Sequence, residues 1–344
     1  LTERDDVREL PVPERLGTVV DLAPVGAQPT WLALGEDGTI SRWDLATGDH
    51  ETLAATPGVS EADHESWGGY ECRRRLHASA DGAFAAVVND FGRYGEVIDL
   101  GTGQVTIVLD NQGDDEETVP FSLAFAEHKG RRVVVHRTKS NRLDVSDART
   151  GALLTERAGV GPGDEHELDY YHGALYVSPD GKRIVDDGWV WHPVGLPSVW
   201  EIGRWLDGHV WESEDGPSRF LLCDRTDYWN HAMTWIGPDR VAVAGLAEDV
   251  MRPWARILDT GRIAEREGWQ LKMAVELLAF EGPAGRFFSD GSRLFSSDDT
   301  GLSTWDPVDG SLLSTVPGFS PTHHHGGAGQ LLQLDGGLVR LLQT

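Results

Sequence analysis

The chain has 344 residues, with 56 Asp plus Glu against 30 Lys plus Arg and a formal net charge of -26. Such a surface repels phosphate backbones and anionic bilayers, which are held by Lys and Arg that displace counterions, so neither nucleic acid nor membrane is expected as a partner. No apolar run reaches the roughly 18 residues of a membrane span, Leu1 to Arg15 lack the apolar stretch of a secretory signal, and two cysteines are too few for a disulfide framework, so a cytoplasmic protein is expected.

One phrase recurs along the chain. Trp43-Asp44-Leu45-Ala46-Thr47-Gly48 returns as Ile98-Asp99-Leu100-Gly101-Thr102-Gly103, as Ser146-Asp147-Ala148-Arg149-Thr150-Gly151 and as Trp305-Asp306-Pro307-Val308-Asp309-Gly310, with weaker echoes at Trp200-Glu201 and Leu258-Asp259. The acidic positions Asp44, Asp99, Asp147, Glu201, Asp259 and Asp306 are 55, 48, 54, 58 and 47 residues apart. An apolar residue, an acid and a Gly turn at that loose period are what stacked four-stranded units leave in a sequence. The expected fold is therefore all-β: one β-propeller over 1–344, with four-stranded antiparallel blades.

In chain order, the first blade covers about 16–55, with strands over Gly17 to Pro24, Thr30 to Leu34, Thr39 to Leu45 and Glu51 to Ala54. The second, 71–110, turns at Ser79-Ala80-Asp81-Gly82, and the third, 119–158, carries the apolar run Val133 to His136. The fourth, 169–213, opens at Tyr170, turns at Ser178-Pro179-Asp180-Gly181 and includes the aromatic stretch Trp189-Val190-Trp191-His192. The fifth, 227–272, turns at Gly237-Pro238-Asp239, and the sixth, 276–316, at Gly291. Too few residues follow Asp306 to complete a last blade, so 318–344 is expected to take its outer strand from 4–12. Closure of this kind removes the exposed strand edges that invite aggregation. Six signature ends plus this composite make seven blades. A short helix over Arg262 to Gly282, in place of a strand pair, would change the count to six or eight.

The Ser-Pro-Asp-Gly turn at Ser178, the Trp-Glu ending at Trp200-Glu201 and the Asp-Gly, Trp-Asp and Thr-Gly punctuation at Asp37, Trp43 and Thr47 resemble the WD40-repeat proteins of the divergent bacterial kind. The likeness spans nearly the whole chain, and it implies the propeller fold without implying an activity. One departure stands out: the Gly-His pair that opens a standard repeat is missing, with Leu168 and Asp227 in those places.

Histidines occur instead at displaced, mutually equivalent positions, His172 eight residues before Asp180 and His231 eight before Asp239. The starts of inner strands converge on the central channel, so Tyr170, Tyr171, His172, Tyr228, Trp229, Asn230 and His231 are expected on one face. Arg73, Phe121, the loop with Trp67 and Tyr70, and His323 join them. Trp, Tyr and Arg anchor interfaces because they bury large area and keep a polar handle. The expectation is a non-catalytic binding module that docks a protein or peptide there, with Arg73 pairing a partner carboxylate and no cofactor. A small-molecule ligand on the same face is a further option.

The alternative is an enzyme, a lyase or hydrolase, with His172 and His231 as acid and base or, with His323 and His325, as ligands of a transition metal such as zinc. Only His323 and His325 of the triple-His run could share an ion, because strand side chains alternate. No Gly-x-Ser-x-Gly elbow or Gly-x-x-x-x-Gly-Lys loop is present.

Overall fold

The computed structural model describes residues 7–56, 70–110, 118–139, 141–159, 161, 163–190, 194–226, 229–246, 251–266 and 271–344. The recurring phrase proves to be a turn. The Asp44 carboxylate accepts the backbone N–H groups of Ala46 and Thr47 at 2.8 and 3.1 Å, and Gly48 follows with a φ of 81°. Asp99 does the same for Gly101 and Thr102, and Asp147 for Arg149 and Thr150, with Gly103 and Gly151 in the left-handed region. A short carboxylate that caps its own turn, followed by the residue that tolerates positive φ, explains why this spacing repeats. A second device lies between the first and second strands. Ser79 and Ser178 each donate to the Asp two residues on, and each accepts the N–H that starts the next strand, at 2.9 Å.

Between these turns, four-stranded antiparallel sheets form in order. The first has Val19–Val25, Thr30–Gly35, Thr39–Asp44 and His50–Ala55; the second has Arg73–Ala78, Phe84–Asp90, Tyr94–Asp99 and Gln104–Asp110. Phe84–Asp90 is buried along its whole length, as a strand between two sheets must be, whereas the outer strand Leu312–Pro317 is almost wholly exposed. The third sheet departs from expectation: Leu123–His128, Arg131–Lys139 and Arg142–Asp147 make three strands, and the outer position holds only the bridge between Ser146 and Leu153.

The fourth and fifth groups are fused into one eight-stranded sheet. Leu175–Val177, Arg183–Asp186, Ser198–Glu201 and Phe220–Leu221 form one half, and Met233–Ile236, Arg240–Ala244, Trp254–Arg266 and Leu271–Glu281 the other. The outer edges of the halves meet in parallel at Leu221 and Met273. Two short helices, Ile202–Leu206 and Glu212–Asp215, fill the long connection between Ser198–Glu201 and Phe220–Leu221. The helix considered over Arg262 to Gly282 is not found; its described residues lie in a strand hairpin. Leu277 consequently belongs to the preceding sheet, and the sixth group begins only at Arg286–Ser289, continuing through Leu294–Ser297, Gly301–Trp305 and Leu312–Pro317.

The last sheet joins the two ends of the chain. Arg8–Pro11 is its outer strand, antiparallel to Leu338–Gln343 with Leu10 opposite Val339, and Gln330–Asp335 and His323–His325 complete it. The inner strands then form a ring of neighbours. Val19–Val25 packs against Arg73–Ala78 and against His323–His325; Leu123–His128 packs against Arg73–Ala78 and Leu175–Val177; Met233–Ile236 packs against Arg286–Ser289. Trp235 donates its indole N–H to the Tyr176 carbonyl at 2.9 Å, and Phe288 packs against His324, which links the remaining neighbours. The ring is a β-propeller whose cores lie between successive sheets, as in the cluster of Val25, Leu32, Ile40, Leu76 and Ile98.

Candidate functional site

Strand alternation puts Arg73 and Arg75 on one side of Arg73–Ala78 and Arg74 on the other, where it donates to the Glu36 carbonyl. Asp90, opposite Arg73 on the next strand, is buried with its carboxylate 3.8 Å from Arg73 and 3.6 Å from Arg75. Asp21, on the inner strand of the first sheet, accepts the Leu76 N–H at 2.7 Å, lies 3.6 Å from Arg75 and is 2.7 Å from His323 Nε2. Burial works against the Asp21 carboxylate, but the His323 hydrogen bond and Arg75 outweigh it and hold the group below the usual range. For Asp90 burial prevails and its pKa is raised. Arg286, at the start of the sixth inner strand, is exposed, and burial together with the charges of Arg73 and Arg75 lowers its pKa. Asp21, Arg73, Arg75, Asp90 and His323 come from three sheets and form one linked cluster of charges.

Two aromatic stacks are also present. Tyr70 is 39% exposed and lies flat on Phe91, with centroids 4.6 Å apart and planes within 3°. Tyr171 stacks on Trp189 at 4.5 Å, and Trp229 covers the other side of Trp189 at 4.2 Å. Trp229 also donates its indole N–H to the Thr118 carbonyl at 3.1 Å, and Asn230, at a φ of 61°, donates its side-chain amide to the same oxygen at 2.7 Å. Tyr171 and Trp229 keep partial exposure.

Several expected site residues are placed elsewhere. Trp67 and Tyr228 lie outside the described residues. Tyr170 is interior, not on a rim: it is 2% exposed, its hydroxyl accepts the Gly188 N–H and faces the carbonyls of Asp186 and Leu196. Phe121 is likewise buried, its N–H held by Asp90. His172 is wholly buried, with Nδ1 2.5 Å from Asp186, so it cannot touch a partner or substrate at the channel mouth. His231 is half-buried, and burial followed by the charge of Arg225 brings its pKa down to about 4.

The triple histidine alternates as its strand requires. His323 and His325 both make T-shaped contacts with Trp31, and His324 lies on the other face against Phe288 and Phe295. His325 accepts the Ala328 N–H at Nδ1 and reaches the Val25 carbonyl with Nε2, so both nitrogens are engaged. Among the described residues no three His, Cys, Asp or Glu side chains converge as a metal site. His323 and His325 thus share one face of their strand, and none of the four candidate histidines belongs to a three-residue ligand group among the described residues.

Asp21, Arg75, Asp90, Phe91 and Arg286 were not anticipated. The run Arg73-Arg74-Arg75 in so acidic a chain was a legible signal for part of this group. Asp21 carried none, since packing between sheets and not sequence spacing brings it to Arg75 and His323.

No family model matches the sequence, and no curated protein matches it. In shape the chain is similar to a chain in a crystal structure of a mitotic checkpoint complex, at 13% identity and a TM-score of 0.58, with 100% of this chain and 96% of that chain covered. In all, 1176 solved chains match in shape, so the likeness identifies a common fold and no activity.

Proposed function

We propose that this protein is a seven-bladed propeller acting as a binding module that docks a protein or peptide segment across its channel mouth. The observations that carry the proposal are two stacks of partly exposed rings, Tyr70 on Phe91 and Tyr171–Trp189–Trp229, together with the exposed side chains of Arg73 and Arg75 on an inner strand. Stacked aromatics give large rigid contact area at low entropic cost, and arginine adds polar anchoring. The seven-blade count takes each half of the eight-stranded sheet as one blade. That a chain of similar shape sits in a multi-protein complex agrees with a scaffold role. A cytoplasmic setting belongs to the same reading, since two cysteines in 344 residues are too few for a disulfide framework.

The enzyme alternative has less behind it: His172 is enclosed, and among the described residues no three His, Cys, Asp or Glu side chains gather. The test is site-specific photo-crosslinking in cells, with the photoreactive residue at Tyr70 and, as control, at Val108 on an outer strand. Adducts of defined mass from Tyr70, absent from Val108 and lost on Tyr171→Ala, are the expected result. Equal labelling from both positions, or none from Tyr70, would sink the proposal.

A further inference from the structure

The third sheet ends at strand Arg142–Asp147 with no regular fourth strand beyond it, and an open strand edge is a template for pairing with another chain. The segment that follows meets this edge group by group. The Asp147 N–H donates to the Ala152 carbonyl at 2.9 Å and the Leu154 N–H to the Val145 carbonyl at 2.7 Å. Farther along, side chains take over: the Val145 N–H donates to Thr155 Oγ1 at 2.9 Å, and Arg157 Nη2 donates to the Leu143 carbonyl at 2.7 Å. A hydroxyl and a guanidinium thus stand where a fourth strand would present a carbonyl and an N–H. Arg157 is itself enclosed, its side chain 1% exposed. Its Nη1 donates to Asp144 at 2.7 Å and to the Thr155 carbonyl at 3.0 Å, Nη2 also meets Glu214, and the Trp211 ring covers the guanidinium at 5.2 Å. Glu214 comes from the helix Glu212–Asp215 in the long connection of the fourth group, is 5% exposed and pairs with no other cation among the described residues.

We propose that residues 152–158 form a latch over this edge, pinned by Arg157 against the helix Glu212–Asp215, and that the latch blocks strand-to-strand pairing with a second copy of this chain. A regular outer strand seals an edge through its backbone, whereas here the seal holds only while Arg157 is engaged. Withdrawing Arg157 leaves Glu214 buried without its cation and takes the donor from the Leu143 carbonyl and the anchor from Thr155 at once, so the latch opens as a unit. The exposed edge would then carry Leu143 and Val145, both fully buried in the closed state, in an alternating strand. A second copy is the occupant because it offers the same edge, and two identical edges pair antiparallel about a two-fold axis. The net charge of -26 makes copies repel, so pairing is favoured where salt screens that charge.

Amide hydrogen exchange in the parent protein reads the latch directly. The N–H groups of Val145 and Leu154 belong to it, and those of Val133 to Val135 lie in the strand inside the sheet, so the first two should exchange together and about tenfold or more faster than the others. The double variant Arg157→Gln with Glu214→Gln removes the pin without leaving Glu214 charged, and Asp144 keeps Arg142 at 2.9 Å. In it, exchange of Val145 and Leu154 should rise by about tenfold or more again, with Phe84–Asp90 unchanged. In high salt, sedimentation should show the variant dimeric and the parent monomeric, with the Val145 N–H protected once more in the dimer. Exchange of Val145 and Leu154 as slow as that of Val133 to Val135 in the parent would overturn the latch, whether or not the variant folds. Unchanged exchange in the variant would overturn Arg157 as the pin. A fast-exchanging variant that stays monomeric, or a dimer that leaves Val145 unprotected, would overturn the blocked edge.

Discussion

Lowering the pH from 7 to 5 should destabilise this propeller through histidines rather than carboxylates. His77, His231 and His324 each have a pKa brought down from 6.5 to about 4. Burial is the main cause in all three; Arg75 adds to it at His77 against the opposing Asp21, Arg225 adds to it at His231, and Asp290 opposes it at His324. Nε2 of His77 and of His324 is enclosed with no hydrogen-bond partner, so a proton there would be unsolvated. The unfolded chain binds these protons near pH 6.5 and the folded chain only near 4, so stability is full above 6.5 and is lost as pH falls between the two.

Linkage gives about 2 kcal/mol per ring at pH 5 as an upper figure, because solvent near half-buried rings screens part of it. Asp187 acts in the opposite sense. Burial pushes its carboxyl up to about 6 even beside Arg225, and its earlier protonation in the folded state returns about 1 kcal/mol at pH 5. Asp290, held at about 2 by its hydrogen bonds to Arg293 and Ser292 against burial, matters only below the ordinary carboxylate range. The net loss is a few kcal/mol. Urea midpoints at pH 7, 6 and 5 measure it, and a triple His→Gln variant at 77, 231 and 324 should flatten the slope. An unchanged midpoint from pH 7 to 5, or an equal slope in the triple variant, would refute the linkage.

Trp31 is fully buried and donates its indole N–H to Gln330 Oε1 at 3.0 Å, joining the first sheet to the last; Trp31→Phe should cost about 2–3 kcal/mol, and a double-mutant cycle with Gln330→Met should show about 1 kcal/mol of coupling by chemical denaturation. Leu10→Ala removes a half-buried contact of the closing strand with Val339 and should lower stability by about 1–2 kcal/mol, with amide exchange rising first along Leu338–Gln343. Trp229→Ala should reduce both stability and partner capture, because the ring is stacked and hydrogen-bonded, whereas Tyr70→Ala should reduce capture by about 2 kcal/mol with a melting temperature close to that of the parent.

What was legible in the sequence was whatever local chemistry dictates. Asp44, Asp99, Asp147 and Asp306 each accept the N–H two residues on, so the same spacing must recur wherever the turn does. The closing strand was legible because a missing outer strand and an unassigned amino-terminal segment are complementary. The parallel contact of Leu221 with Met273 had no such signal, since a single pair joins two otherwise separate sheets. Of the expected site residues, Tyr171, Trp229 and Arg73 keep exposed surface, whereas Tyr170 and His172 turn inward, because the Asp186 carboxylate and carbonyl in the adjacent strand offer them buried partners. Strand alternation says which residues face apart, and only packing between sheets says which face is enclosed.

Asp21 shows why closure and binding belong together. Its two carboxylate oxygens meet His323 from the last sheet and the Leu76 N–H from the second, and the same group lies beside Arg75. His323 is in turn placed by a sheet whose outer strand is Arg8–Pro11. A loosened closing strand therefore frees His323 and leaves Asp21 with fewer donors, and Arg75 loses one of the two carboxylates that aim it. Damage at the outer rim of the ring reaches the channel through fixed hydrogen bonds, with no change in the residues that would touch a partner. Stability lost at the closing strand should accordingly appear as weaker docking before the propeller as a whole unfolds.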